Sequence, residues 1–145
     1  MWFWENKKIF KLNESILNLS GGSWHSPPDK LVWTTSHREE QVEIVDGLMQ
    51  LDGPRGFKDP RSILTLPFWS SAGIKIKFIA TFRHPILVAK SLEARKKLRI
   101  PYEQGLKLWF EYNKRLLDYQ KKYEFQLIDF DSNEQDYLSS IKKTA

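Results

Sequence analysis

The sequence predicts an α/β layer fold with a mostly parallel sheet. Three observations predict it. Apolar residues recur at helical spacing in several separate stretches. One stretch, Ile74 to Phe82, instead alternates at period two. Along the chain the candidate strands are separated by candidate helices, the pattern of helices packed on a parallel sheet rather than of an antiparallel meander.

The elements follow in order. Residues 5–20 predict an amphipathic helix, because Ile9, Leu12, Ile16 and Leu17 fall at i, i+3, i+7 and i+8 and Gly21-Gly22 supply a stop. Residues 21–33 have the Gly, Ser and Pro content of a loop. Ser36 opens an S-x-x-E capping box with Glu39, and Val42, Val45, Leu48 and Met49 form the apolar stripe of a second helix. Gly56-Phe57-Lys58 reads as a short strand ended by Asp59-Pro60. Residues 61–71 read as helical. Ile74 to Phe82 is the strongest strand, with Ile74, Ile76, Phe78 and Ala80 on one side and Lys75, Lys77 and Ile79 on the other. Pro85 opens a helix running to about Leu98. Pro101 opens another, striped by Leu106, Trp109, Tyr112, Leu116 and Tyr119. Phe125 to Phe130 predicts a last strand, and residues 133–142 a last helix.

Composition narrows the function classes. The chain has 145 residues, room for one domain with its own core. Hydrophobic residues at 41% and charged residues at 28% are ordinary for a soluble globular protein. The aromatic content, 14% with six Trp and nine Phe, reads first as core and surface anchoring and second as a stacking platform for bases. A net charge of +5 favours an anionic ligand, but the charges are interspersed and do not single out nucleic acid. Arg95, Lys96, Lys97 and Arg99 form the densest cluster and read as a solvated helix face. With no cysteine, disulfides, thiolate nucleophiles and Cys-based metal sites are excluded. His25, His37 and His84 lack metal-ligand spacing, so no metal is expected. Met1-Trp2-Phe3-Trp4-Glu5 does not read as a signal peptide. No stretch approaches the ~18 apolar residues of a membrane span. The expected location is cytoplasmic.

Two predicted strand ends carry residues suited to chemistry. Ligands of open parallel sheets sit beyond the carboxyl ends of strands, where helix N-termini offer free N–H groups. The first end is Lys58-Asp59-Pro60-Arg61. The second is Arg83-His84-Pro85, followed by a helix with Ser91 eight residues after Arg83. A strand-end Arg and a hydroxyl two turns into the next helix suit one phosphate between them, the Arg by a bidentate contact. On the residues alone this signal is weak, and the alternative is that Arg83 caps a loop and Ser91 is a surface residue.

Lys58-Asp59-Pro60-Arg61, then Leu66-Pro67-Phe68-Trp69, then the run from Ile76 through Arg83-His84-Pro85 and Ser91 to Arg95 resemble the sulfotransferase superfamily. Leu108-Trp109 with Tyr112-Asn113, and the opening Trp4-Glu5-Asn6, Leu12-Asn13 and Gly21-Gly22-Ser23-Trp24, are similar to bacterial members and to the tyrosylprotein sulfotransferases. The likeness spans about residues 2 to 131.

The resemblance implies a three-layer, P-loop-NTPase-like parallel sheet flanked by helices. It also implies transfer of a sulfuryl group from 3′-phosphoadenosine 5′-phosphosulfate (PAPS) to a hydroxyl or amine acceptor. That acceptor is unidentified: carbohydrate, lipid, small molecule or peptide tyrosine. By similarity, Arg83 and Ser91 bind the donor's 3′-phosphate, and Lys58 is catalytic, stabilising charge on the leaving phosphate. Asp59 then steadies Lys58 or Arg61. Where cytosolic aryl sulfotransferases place a catalytic His, this chain has Pro60, so the general base is unassigned.

The family's G-x-x-R-S-G-T phosphosulfate loop and its basic loop near the C-terminus are not in this sequence. Residues 1–145 are therefore expected to be a single partial domain, lacking the first strand and its phosphate loop, weak or inactive alone and prone to self-association. Two other classes remain open at this point. One is a non-catalytic nucleotide- or partner-binding remnant. The other is an unrelated α/β protein, a nucleoside kinase relative or a small nucleic-acid binder using Arg95 to Arg99.

Overall fold

The structure is a computed structural model that describes residues 6–53 and 55–144. Trp4 and Glu5, which the sequence reading assigned to a motif and a helix start, lie outside the described residues. The chain gathers into two compact units, residues 1–75 and 76–145. Among the described residues it is mixed α/β, with one two-stranded parallel sheet accompanied by helices.

In the first unit, α1 (Lys7–Leu19) buries Ile9, Leu12, Ile16 and Leu17, the face its spacing predicts. The Asn6 side chain caps it by accepting the Lys8 N–H at 2.9 Å. Its C-terminus closes as a Schellman turn. The Gly21 N–H donates to the Asn18 carbonyl at 3.0 Å and the Gly22 N–H to the Leu17 carbonyl at 2.9 Å. Gly21 sits at φ +75°, a left-handed conformation that a side chain would strain.

The second helix, α2 (Thr35–Met49), departs from its predicted start and face. The N-cap is Thr34, not Ser36. Thr34 Oγ1 accepts the His37 N–H and His37 Nδ1 accepts the Thr34 N–H, so His37 takes the place expected of Glu39 in the box. The buried residues are His37, Gln41 and Ile44, while Val42 and Met49 are more than half exposed. Gln41 is tolerated inside because both ends of its amide are engaged. Nε2 donates to the Phe68 carbonyl at 2.8 Å and Oε1 accepts from Arg38 Nη1 at 2.8 Å.

The segment 56–58 is not a strand. Phe57 packs tilted against Trp69 instead, with ring centroids 4.7 Å apart, and among the described residues no neighbouring strand offers a ladder. The helix expected over 61–71 is split into a 3₁₀ turn, Pro60–Ile63, and a short α3 (Leu66–Ser70). Phe68 and Trp69 on α3 complete the core with Ile9, Leu12, Ile16 and Ile44.

In the second unit, β1 (Ile79–Phe82) leads into α4 (Pro85–Ala94), α5 (Tyr102–Tyr123), β2 (Gln126–Asp129) and α6 (Glu134–Thr144). The strands run parallel, with Ile79 opposite Gln126 and Phe82 opposite Asp129. Parallel strands need such a helical crossover. The ladder is shorter than the stretch predicted from 74 to 82, because β2 offers only four partners. The alternation of side chains still reaches back beyond it, with Ile76, Phe78 and Ala80 half-buried and Lys75, Lys77 and Ile79 exposed.

Gly105 lets α5 close on α4: a Cβ there would lie 3.0 Å from Ala89 Cα. The α4 helix stops at Ala94, four residues earlier than predicted. Arg95, Lys96, Lys97 and Arg99 therefore lie on an exposed turn, not a helix face, with Arg99 at φ +52°.

Candidate functional site

Arg83 follows the last residue of β1, and α4 begins two residues later. Its backbone carbonyl accepts the indole N–H of Trp109 at 2.7 Å, which ties the strand end to α5. Its Nε donates to Asp131 Oδ1 at 2.8 Å, and the other carboxylate oxygen, Oδ2, accepts the His84 N–H at 2.6 Å. The guanidinium also lies 5.3 Å from the centroid of the Phe130 ring. Among the described residues its two Nη groups have no hydrogen-bond acceptor. The His84 N–H, the Arg83 hydrogen bond and the nearby Arg83 charge together hold the Asp131 carboxyl below its usual range.

Ser91 lies in the seventh position of α4 and is half-buried. At ~1.5 Å rise per residue it stands about 9 Å along the helix from Pro85. Arg83 and Ser91 thus belong to one βα unit.

Lys58 belongs to the other compact unit, where it is exposed in an irregular segment. Asp59 steadies Arg61. Asp59 Oδ1 accepts the Arg61 N–H at 2.7 Å and is 3.4 Å from Arg61 Nη1. Arg61 also donates through Nε to Glu14 and lies 4.2 Å from the centroid of the Phe10 ring. Burial opposes the Arg61 charge, but the Glu14 hydrogen bond and the Asp59 and Glu14 charges outweigh it and raise the guanidinium's pKa. Arg61 is therefore a permanent cation that fastens the 3₁₀ turn to α1.

A third group escaped the sequence reading. Ser15 Oγ on α1 lies 3.0 Å from His37 Nε2, a pairing that suggests a nucleophile and its base. The tautomer says otherwise. Because Nδ1 accepts the Thr34 N–H at 3.0 Å, the ring proton sits on Nε2 and is donated to Ser15. His37 cannot take a proton from Ser15 in that state. The pair joins α1 to α2.

Comparisons of the chain with protein-family models, with curated proteins and with solved structures found no match. Functional argument therefore starts from the geometry just described. Among the described residues no three His, Asp or Glu side chains gather as metal ligands, and no helix is long and apolar enough to cross a membrane.

Sequence reasoning missed Asp131, although a signal was present. In a parallel pair the residues just past both strand ends emerge at one edge. With Phe82 opposite Asp129, that places Arg83 beside the Phe130-Asp131 segment. Trp109 was read as part of a helical stripe and, with Asn113, for the resemblance. Trp109 anchors the Arg83 carbonyl, and Asn113 Nδ2 donates to the Trp109 carbonyl at 2.8 Å.

Proposed function

We propose that the second unit binds a phosphorylated adenine nucleotide of the PAPS type, with Arg83 and Ser91 on its 3′-phosphate, in a sulfotransferase-like protein. The observation that carries this reading is the position of Arg83. It lies one residue beyond a parallel strand and two before a helix, with its guanidinium held at Nε while both Nη groups have no acceptor among the described residues. An Arg oriented in that way presents an end-on fork to a phosphate. Ser91, two turns along α4, supplies a hydroxyl that donates to the same group.

On this reading β1 and β2 are two strands of a three-layer, P-loop-NTPase-like sheet, and the protein works in the cytoplasm. Lys58 then acts during sulfuryl transfer, balancing the negative charge that grows on the leaving phosphate as the S–O bond breaks. Asp59 is engaged with Arg61 and does not serve as a base. The acceptor is a hydroxyl or amine of a class that these residues do not specify.

The test is calorimetric titration of the full chain with adenosine 3′,5′-bisphosphate and with AMP, which lacks the 3′-phosphate. The bisphosphate should bind more tightly. Arg83→Ala should remove about 1.5–3 kcal/mol of that binding. Equal affinity for the two nucleotides, or a preference unchanged in the mutant, overturns the reading. Where transfer is measured, Lys58→Ala should lower kcat and leave nucleotide affinity nearly unchanged.

One observation favours a different reading. Asp131 already neutralises Arg83 and takes the His84 N–H, as a simple latch between the β1–α4 junction and the segment after β2 would. Absence of nucleotide binding in the same titration favours a structural Arg83 in a non-catalytic or unrelated α/β protein.

A further inference from the structure

We propose that Asp131 is an affinity- and specificity-setting residue of the Arg83 site, an internal carboxylate that a bound phosphate must displace. The inference rests on the nucleotide-binding reading and adds to it what a bound phosphate must displace.

The geometry is that of an occupied anion site. A phosphate at the end of β1 would draw on two kinds of donor, the strand-end guanidinium and a backbone N–H at the start of the following helix. Asp131 uses one of each: Oδ1 accepts from Arg83 Nε at 2.8 Å, and Oδ2 accepts from the His84 N–H at 2.6 Å. The carboxylate is therefore held by both oxygens.

Its own backbone is held as well. The Asp131 N–H donates to Asp129 Oδ1 at 2.9 Å, and the Phe130 N–H donates to the Phe82 carbonyl at 2.9 Å, which extends the sheet register by one bond. The competitor is thus pre-positioned by the end of β2. No other acidic side chain forms an ion pair with Arg83 among the described residues.

Two effects follow from that placement. Incoming anions meet a site whose cation is already matched by one negative charge, so the net attraction for a singly charged ligand is small. A ligand carrying two charges and three acceptor oxygens replaces both contacts and gains more than it loses. The site is therefore selective for a phosphate monoester dianion over carboxylates, chloride and other monoanions. Displacement also frees Asp131, and with it the turn from Phe130 to Ser132, so binding is read out at the start of α6.

The discriminating experiment titrates the full-length wild type, Asp131→Asn and Arg83→Ala/Asp131→Asn with adenosine 3′,5′-bisphosphate by calorimetry. Asp131→Asn removes the charge and keeps the size. It should bind about tenfold more tightly, the scale of one charge-assisted hydrogen bond that no longer has to be broken, and it should also acquire affinity for acetate. The double variant should lose both.

Bisphosphate binding that depends on Arg83 but is equal or weaker in Asp131→Asn overturns the competitor role and leaves the nucleotide reading standing. No binding by either protein overturns both. A second measurement does not depend on the variant's folding. In the wild type, the His84 amide proton should shift as bisphosphate is added, because its acceptor changes from the Asp131 carboxylate to a phosphate oxygen. A His84 amide that stays unmoved while the ligand saturates overturns the displacement.

Discussion

Asn13 and Trp69 meet across the core of the first unit, where the indole N–H donates to Asn13 Oδ1 at 2.9 Å and both side chains are buried. The same oxygen accepts the Thr65 hydroxyl at 2.7 Å. One amide thereby satisfies two buried donors brought from residues more than fifty positions away. The Leu66-Pro67-Phe68-Trp69 segment, noted in the sequence for its resemblance, is in this structure part of the core.

Asn13→Leu should therefore cost more than its gain in apolar area returns. The Trp69 N–H would be left buried without an acceptor, a loss of about 1–3 kcal/mol. The Thr65 hydroxyl keeps a weaker option in the Arg61 carbonyl at 3.4 Å. Urea unfolding followed by tryptophan fluorescence should show a lower midpoint. An unchanged midpoint would mean the amide network contributes nothing.

The two glycines after α1 should respond to alanine for different reasons. A Cβ on Gly21 has open space, so Gly21→Ala meets only the left-handed backbone penalty of about 1–2 kcal/mol. A Cβ on Gly22 would lie 2.6 Å from Pro28 Cδ and 2.7 Å from the Ser26 carbonyl oxygen. Gly22→Ala must therefore move the 23–28 loop, at a cost of about 1–3 kcal/mol. Substituting Asn at each position separates the two effects in thermal melts. Asn tolerates the left-handed region and should partly restore position 21 but not position 22.

Gly105 is a test of the α4–α5 contact. In an exposed helix, replacing Gly by Ala gains about 1 kcal/mol of propensity. Here the new Cβ would stand 3.0 Å from Ala89 Cα and 3.2 Å from its Cβ, and backbone yields little. Gly105→Ala should be neutral or destabilising, and Gly105→Val should be clearly destabilising. A melting temperature that rises in Gly105→Val would show that α4 and α5 are not packed this closely.

Asp131 should make stability depend on acid pH in a defined direction. Its folded pKa is depressed by the His84 N–H and the Arg83 hydrogen bond, so its contribution is fully present above the ordinary value of 3.8. It is lost as pH falls through the lower folded value. The stability difference between wild type and Asp131→Asn should hence be constant near neutrality and shrink below pH 3.8. Urea midpoints for both proteins at neutral pH and near pH 3 supply the measurement. A difference that stays constant through that range would show the ion pair to be absent in solution.

How much of this was legible beforehand depends on the range of each interaction. The buried stripe of α1, the glycine stop after it and the helices between β1 and β2 arise from residues a few positions apart. Their spacing alone determined them, because period 3.6, period 2 and a left-handed glycine are properties of the local backbone. The position of Arg83 at a strand end was legible for the same reason.

What the tertiary structure decided involves partners far apart in the chain. Asp131 is 48 residues from Arg83, and Gln41 reaches a carbonyl 27 residues away. Nothing local marks Gln41 as an inward residue or Val42 as an outward one. The choice falls to whichever side chain finds its partners once α3 is in place. The same holds for Gly56-Phe57-Lys58, which has strand character but, among the described residues, no neighbouring strand to bond with. Local sequence sets which conformations are cheap. Burial and hydrogen-bond matching across the core select among them, since a buried polar group without a partner costs more than any local preference supplies.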